Sequence, residues 1–157
     1  MAIRTLPMEL LEQEDIPYQV RQHQEQQYTA DGVAQDLGVP VAQVVKAMLV
    51  RCDESWYVLV VIPGNERLSL EKIQAATGAG RVNLASKREV EQITGYTVGA
   101  VSVIGFRQGG ILPFVDEEVL GLEQIIISSG RPEAGLALSP DSLMSLLQGG
   151  QVGDFCE

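Results

Sequence analysis

One short apolar run, residues 44–50 (VVKAMLV), constrains the fold most because it carries a single charge, on Lys46. Its branched residues and its position between Pro40 and Asp53 predict a β-strand buried on both faces. Strand side chains alternate, so Lys46 would share an apolar face with Met48. Burying an unpaired ammonium is costly. Either the site supplies an anion such as a ligand phosphate, or the Lys46 ammonium reaches water at the start of the strand; spacing alone leaves both open.

The remaining elements predict a mixed α and β architecture. A second apolar run, residues 56–62, follows closely enough to form an antiparallel hairpin with the first. Helices are expected after the N-capping residues Thr5, Thr29, Ser69, Ser86 and Ser139. Further strands are expected at residues 16–21, 81–84, 110–116, 124–128 and 136–138. Because strands and helices alternate irregularly, we expect an α+β fold with a mixed, mostly antiparallel, barrel-like sheet surrounded by short helices.

Length and composition bound the organisation of the chain. Its 157 residues, 45% of them hydrophobic, suffice for one core, so we expect a single domain over residues 1–157 with a flexible tail at 150–157. No stretch approaches the roughly 20 apolar residues of a membrane span, and residues 1–11 do not resemble a signal peptide, so we expect a cytoplasmic protein without a membrane partner.

The charged and metal-ligating residues exclude several kinds of partner. Two distant cysteines, Cys52 and Cys156, and a single histidine cannot form a zinc set, so we expect no metal or other cofactor. The formal net charge of −10 disfavours non-specific binding to nucleic acid. We therefore expect no DNA partner, and only local contacts to any RNA.

Several kinds of catalytic machinery lack their motifs. The sequence has no nucleophile elbow, P-loop or dinucleotide fingerprint. The segment 95–105 (GYTVGAVSVIG) combines three glycines with small residues, as in a loop that brings backbone close to a ligand or in a glycine-rich hairpin without one. Together with Lys46 and the hydroxyls of Ser102, Ser128 and Ser129, this segment indicates a binding pocket. Such a pocket can still promote hydrolysis of a reactive substrate by positioning water and stabilising an oxyanion.

Several short segments follow one another in a characteristic order over nearly the whole chain. They are His23, residues 29–39 (TADGVAQDLGV), residues 45–50 (VKAMLV), Pro63-Gly64, residues 94–102 (TGYTVGAVS), Asp116, Ser129-Gly130 and residues 138–143 (LSPDSL). In this order the chain resembles the YbaK/ProRS-associated editing domains, which hydrolyse mischarged aminoacyl-tRNA, chiefly tRNA(Pro) carrying the wrong amino acid.

The resemblance implies roles for individual residues. Lys46 would bind near the terminal adenosine and its phosphate, and the loop after Gly99 would offer backbone donors to the aminoacyl carbonyl, while the 2′-hydroxyl of the substrate helps to orient water. The implied catalytic residues are Lys46, Gly99, Ala100, Val101 and Ser102. The implied substrate-binding residues are His23, Thr29, Met48, Tyr96, Val103, Ser129, Gly130 and Gly135. His23 would line the pocket or contact the acceptor end, unless it is an ordinary exposed loop residue.

Three positions depart from the pattern of the family. Many members have a proline at the position of Val103, which leaves the shape of the loop open. Some members, including the cysteine-removing type, have an acidic residue at the position of Gly135 and a tyrosine at that of His23. Because a methyl or a hydroxyl changes binding by only about 1–3 kcal/mol, the sequence does not select among alanine, cysteine, serine and other small side chains.

Three functions follow as hypotheses. The first is a trans-editing deacylase that hydrolyses the ester of a mischarged small amino acid on tRNA, with tRNA(Pro) as the expected carrier. The second is a non-catalytic module of the same fold that binds a nucleotide, a tRNA end or a protein. The third is a hydrolase of small esters that never meets tRNA. The expected partners are the acceptor end of aminoacyl-tRNA and an aminoacyl-tRNA synthetase, because a chain with few basic residues would read tRNA identity weakly or through a partner.

Overall fold

The computed structural model describes residues 3–147 and 149–157, and its strands form two sheets. The three-stranded sheet has the order β1-β7-β6 and contains β1 (Gln19–Gln22), β6 (Ile125–Arg131) and β7 (Ala134–Leu138). The five-stranded sheet has the order β4-β2-β3-β5-β8 and contains β2 (Lys46–Cys52), β3 (Trp56–Ile62), β4 (Val82–Leu84), β5 (Leu112–Asp116) and β8 (Gln151–Gly153). The helices are α1 (Leu6–Gln13), α2 (Ala30–Leu37), α3 (Leu70–Thr77), α4 (Lys87–Thr94), α5 (Glu117–Leu120) and α6 (Pro140–Leu146). No helix within the described residues is long and apolar enough to cross a membrane.

The predicted α+β class is confirmed, but the sheets do not close into a barrel. Strands β2 and β3 form the predicted antiparallel hairpin, with Leu49 opposite Leu59. Strand β5 pairs with both β3 and β8 in parallel, and the other described ladders are antiparallel. The two sheets meet at one isolated bridge between Val44 and Ile126. Since β4 pairs only with residues 50–52, the edge of β2 stays open over its first residues.

Successive side chains of β2 and β3 point to opposite faces of the sheet, and this divides the core into two layers. Leu49 and Leu59 face the three-stranded sheet and pack in one cluster with Ile127. Val50 faces the opposite side and packs in a second cluster with Phe155. The prediction that β2 is buried on both faces holds only for its second half, because its first three residues are half-buried.

Local capping signals place the helices where the sequence predicts them. The hydroxyl of Thr29 accepts a hydrogen bond from the Gly32 N–H at 3.0 Å at the start of α2. Ser86 and Glu89 form the predicted capping box of α4, with bonds of 3.1 and 2.9 Å. Gly38 ends α2 in the left-handed conformation, at φ 69°.

The C-terminal residues pack against the five-stranded sheet, which corrects the expectation of a flexible tail at 150–157. Residues 151–153 form β8, and Phe155 is 4% exposed. The buried Asp116 carboxylate accepts the Phe155 N–H at 2.9 Å, and the Lys72 ammonium contacts Asp154 at 2.8 Å. Neither α5 nor β8 was predicted from the sequence. Helix α5 has only four residues and is capped by the adjacent Asp116, whereas β8 depends on pairing with the distant strand β5.

Candidate active site

A cavity of about 420 Å³ opens where the edge of β2 is unpaired. The Val45 N–H donates to the Ile126 carbonyl at 3.0 Å on one side of the gap, and the Ala85 N–H donates to the Leu49 carbonyl at 3.0 Å on the other. Its walls come from both sheets, from the start of α2 and from the glycine-rich segment. The open edge therefore becomes the floor of a cleft rather than a site for another strand.

Lys46 lies in the wall of this cavity and is neither sealed in hydrocarbon nor free in solvent. Its side chain is half-buried, and its Nζ donates to the Glu66 carbonyl oxygen at 2.7 Å. Among the described residues it forms no ion pair. An ammonium has three N–H donors, so the single carbonyl leaves two of them for a ligand in the cavity.

The backbone of Ala47 faces the cavity as well. Alternate residues of an antiparallel strand direct their N–H and C=O groups to the same side. Val45 and Leu49 both form bonds on the side away from β3, so the N–H and C=O of Ala47 point into the gap between them. A donor and an acceptor on rigid backbone are thus available to a ligand.

The glycine-rich loop approaches the cavity through Gly99 and Val101. Gly99 has φ +88°, and a Cβ on it would lie 2.2 Å from the Tyr28 carbonyl oxygen, so the loop packs directly on the chain that precedes α2. The Ala100 N–H donates to the Thr97 carbonyl at 2.8 Å. That N–H closes the turn, and it is not the free donor that the family resemblance implies.

His23 is a buried residue of the cavity wall, so the alternative of an exposed loop residue is wrong. It is 9% exposed, and its Nδ1 lies 2.8 Å from the Pro132 carbonyl oxygen. Its Nε2 is buried and has no hydrogen-bond partner among the described residues. Gly135 also lines the cavity, and a Cβ on it would lie 3.7 Å from this Nε2.

The fold brings only some of the implied site residues together. Those that line the cavity are His23, Thr29, Lys46, Met48, Gly99, Val101 and Gly135. Those outside the described lining are Tyr96, Ala100, Ser102, Val103, Ser129 and Gly130. Thr29 reaches the cavity as the cap of α2, and Met48 through the open half of β2.

Three of the implied residues outside the cavity, Tyr96, Ser129 and Gly130, have structural contacts instead. The Tyr96 hydroxyl donates to the Ile104 carbonyl at 2.7 Å, and burial raises the pKa of this phenol to about 12. A Cβ on Gly130 would lie 2.7 Å from the Tyr96 ring, so the glycine lets strand and ring approach. The predicted loop at Ser129 is part of β6, where its hydroxyl donates to the Ala134 carbonyl at 2.6 Å across a register shift. Ser102 is fully buried, and its hydroxyl has no partner among the described residues.

The fold also adds residues that sequence reasoning missed. Three exposed side chains line the cavity and form an apolar rim: Tyr28 is 46% exposed, Leu84 50% and Val98 46%. Arg131 lines it too, and its guanidinium pairs with Glu133 at 3.0 Å, which holds the pKa of that carboxyl below its usual value. No local pattern singles these residues out, because chain segments distant in sequence bring them together.

Lys46 provides the cavity with a cation that has no carboxylate partner among the described residues. The other charged residues of the described lining are Asp31 and Arg131, and the Arg131 guanidinium is already paired with Glu133. In the part of the chain that the structure describes, no group of histidine, cysteine or carboxylate side chains is arranged to hold a metal ion. The walls provide apolar surface, cations and backbone hydrogen-bonding groups, and no nucleophilic side chain among them is activated by a base. These features define a binding cleft for a ligand that is partly apolar and partly anionic.

Comparison with known proteins identifies the family of this chain. Residues 24–146 match the model of the aminoacyl-tRNA editing domain. The chain therefore belongs to the aminoacyl-tRNA editing domain family, whose members are deacylases. This confirms the family resemblance inferred from the ordered motifs.

Individual relatives agree with the assignment. The chain is 30% identical over 148 residues to the Enterococcus faecalis protein named "Putative Cys-tRNA(Pro)/Cys-tRNA(Cys) deacylase EbsC", covering 93% of this chain and 90% of that one. It is 31% identical over 108 residues to the proline--tRNA ligase of Desulforamulus reducens, covering 69% of this chain but only 18% of the ligase. A solved structure titled "Crystal structure of a putative trans-editing enzyme for prolyl tRNA synthetase" superimposes with a TM-score of 0.86 at 28% identity, covering 96% and 94% of the two chains.

Proposed function

We propose that this chain is a trans-editing deacylase that hydrolyses the ester between a mischarged small amino acid and tRNA, with tRNA(Pro) as the carrier. The observation that carries the proposal is that Lys46 and Gly99 line the same cavity in a member of a deacylase family. The proposal includes a single domain over residues 1–157, acting in the cytoplasm where the substrate occurs.

The substrate's acceptor end matches the cavity in chemistry. The two free N–H groups of Lys46 suit a phosphate oxygen or a ribose hydroxyl of the terminal nucleotide. The exposed ring of Tyr28 at the rim offers a stacking surface for the terminal base. The volume of about 420 Å³ leaves space for a small aminoacyl group deeper in the cleft.

The reaction needs little from side chains. Water attacks the ester carbonyl, its hydroxyl joins the acyl carbon, and the ribose oxygen leaves with a proton as the amino acid departs. In such a step the largest contribution to the rate enhancement comes from hydrogen-bond donors oriented toward the developing oxyanion. The candidates are the backbone of Gly99, Val101 and Ala47, since the Ala100 N–H is engaged within its own turn. The substrate's 2′-hydroxyl would orient the water, as the family resemblance implies.

The test is deacylation of a panel of mischarged tRNAs by the purified protein, with Lys46→Met as the variant. The methionine keeps the length of the stem but removes the ammonium, so we expect kcat/KM to fall by about 100-fold or more if the ammonium positions the substrate. Lys87→Met is the matched control, because Lys87 is exposed on α4 and lies outside the cavity lining. Release of no amino acid by the wild type, or equal release by both variants, would contradict the proposal.

A second candidate is a non-catalytic module that binds the acceptor end or a synthetase without turnover. The engaged Ala100 N–H favours it, since one implied oxyanion donor is missing, and so does Val103, which stands where many members have proline. In that case the same panel would show saturable, Lys46-dependent binding with no release of amino acid. Val103→Pro would then be the variant in which to look for recovered hydrolysis.

A further inference from the structure

We propose that Asp116 positions the ammonium of Lys46 in the cavity, through the C-terminal residues of the chain. Asp116 lies outside the described cavity lining, so it acts as a positioning residue and not as a catalytic one. The inference rests on the proposed function and deepens it by naming a residue that supports the site from outside. It depends on a row of hydrogen bonds that leads from the Asp116 carboxylate to the carbonyl that holds Lys46.

The position of the Lys46 ammonium depends on a loop. Its Nζ donates to the Glu66 carbonyl at 2.7 Å, and it forms no ion pair within the described residues. The four-carbon stem of a lysine is flexible, so the place of this carbonyl sets the place of the ammonium. Glu66 belongs to the loop of residues 63–69 that joins β3 to α3. Such a loop keeps its shape only where neighbouring structure supports it.

The C-terminal residues pair antiparallel with this loop. The Glu157 N–H donates to the Arg67 carbonyl at 2.8 Å, and the Ser69 N–H donates to the Phe155 carbonyl at 2.8 Å. An antiparallel bridge joins the residues between these two bonds. The Arg67 carbonyl belongs to the peptide unit next to that of Glu66, so the pairing fixes the backbone directly beside the carbonyl that Lys46 contacts.

Asp116 holds the C-terminal residues in place. Its carboxylate is buried, with the residue 1% exposed, and it forms no ion pair in the part of the chain that the structure describes. One oxygen accepts the Glu118 N–H at 3.0 Å and caps α5, while the other accepts the Phe155 N–H at 2.9 Å.

Both oxygens of Asp116 are therefore in use, and this explains the carboxylate. Burying a carboxylate without a cation is costly, and a serine or asparagine can cap a helix as well. An asparagine side chain has only one acceptor oxygen, whereas a carboxylate accepts at two. Position 116 needs the carboxylate because it serves the cap and the Phe155 N–H at once.

Two variants break the row of bonds at different points. In Asp116→Asn the amide oxygen can keep the cap of α5, but the amide nitrogen has no lone pair for the Phe155 N–H. Glu157→Pro removes the N–H that bonds to Arg67, and the Glu157 side chain is exposed, so no core contact is lost. Glu157→Ala is the matched control, because it also loses the carboxylate but keeps the N–H.

The first readout is the ε-carbon NMR resonance of each lysine, which needs no activity. The chain has three lysines, Lys46, Lys72 and Lys87, and single Lys→Met variants assign them. Lys72 pairs with Asp154 at 2.8 Å and so reports on the C-terminal residues, whereas Lys87 is exposed on α4 and serves as the reference.

We expect Asp116→Asn and Glu157→Pro to shift the Lys46 resonance, with the Lys87 resonance unchanged and the Lys46 resonance of Glu157→Ala at its wild-type position. A Lys46 resonance that stays in place in both variants would overturn the inference, even if that of Lys72 moves, because the C-terminal residues would then be structural only. Should Asp116→Asn fail to fold, Glu157→Pro decides.

The second readout is deacylation in the presence and absence of the Lys46 ammonium. Asp116→Asn and Glu157→Pro are each expected to lower kcat/KM by about 10-fold or more in the wild-type background. In the Lys46→Met background they should have almost no further effect, because they act through the ammonium already removed. Equal losses in both backgrounds indicate a general structural effect and would refute the inference while leaving the deacylase proposal standing. If the wild type releases no amino acid, the deacylase proposal fails and the lysine resonances alone decide whether Asp116 positions Lys46.

Discussion

Substituting Gly99 by alanine tests the packing of the loop that approaches the cavity. Two separate effects act at this position. The residue has φ +88°, a conformation that costs an L-residue about 1–2 kcal/mol. In addition, the new Cβ would meet the Tyr28 carbonyl oxygen at 2.2 Å, and this backbone atom cannot rotate away.

The magnitude follows from how far the loop must move. An ordinary contact of this kind is longer by about 1 Å or more, so the loop or residue 28 must shift by about that distance. Overpacking of this kind costs about 1–3 kcal/mol, which brings the total loss for Gly99→Ala to about 2–5 kcal/mol. A displacement of about 1 Å at a reacting centre lowers the rate by about 100-fold.

Gly78→Ala separates the two effects. Gly78 has φ +74°, and a Cβ on it meets nothing within 4 Å, so this variant carries the backbone strain without the clash. Chemical denaturation should give a loss of about 1–2 kcal/mol for Gly78→Ala, with wild-type deacylation. Equal stability losses in the two variants, together with wild-type hydrolysis by Gly99→Ala, would refute the described packing of the loop on Tyr28.

Two further predictions concern parts of the chain outside the cavity. Phe155→Ala should lower the free energy of unfolding by about 3–5 kcal/mol, because the ring is buried edge-on against Phe114 with centroids 5.6 Å apart. The loss is measured by unfolding in denaturant. A loss below about 1 kcal/mol would mean that the C-terminal segment does not pack against the sheet. Burial raises the pKa of Tyr96 to about 12, above the value near 10 of an unfolded chain, so its contribution to stability is complete below about pH 10 and is lost as the pH rises toward 12. Tyr96→Phe should therefore lose less stability than the wild type between pH 10 and 12, by about 1 kcal/mol after allowance for solvent screening; parallel stability curves would contradict this.

Local signals in the sequence were sufficient for most helix boundaries. The bonds between Ser86 and Glu89 span three residues, so a capping box can be read without knowledge of the fold. The hairpin of β2 and β3 is equally local, since only three residues join the strands. What the sequence could not determine was how the strands are divided between sheets, because pairs such as β5 and β8 lie 35 or more residues apart. The expected barrel was wrong because the strands form two open sheets that meet at an isolated bridge.

The site was predictable to the extent that it rests on family motifs, and less so where it rests on contacts. The single charge in the run 44–50 pointed to Lys46 and the glycine-rich segment to Gly99, while the resemblance gave their roles and added Gly135; the structure places all three in one cavity. The engagement of the Ala100 N–H depends on the turn formed at Thr97, which the sequence does not specify.

The charge distribution limits what the proposed enzyme can recognise. With a formal net charge of −10 the protein repels a polyanion at long range, and the screening length of about 8 Å at physiological ionic strength confines any attraction to close contacts. Lys46 is such a contact, and it lies at the cavity. The binding energy for tRNA would therefore be concentrated at the acceptor end, where the ester is. Discrimination among tRNA bodies would then have to come from another protein, and a synthetase that already holds the tRNA is the partner that this distribution favours.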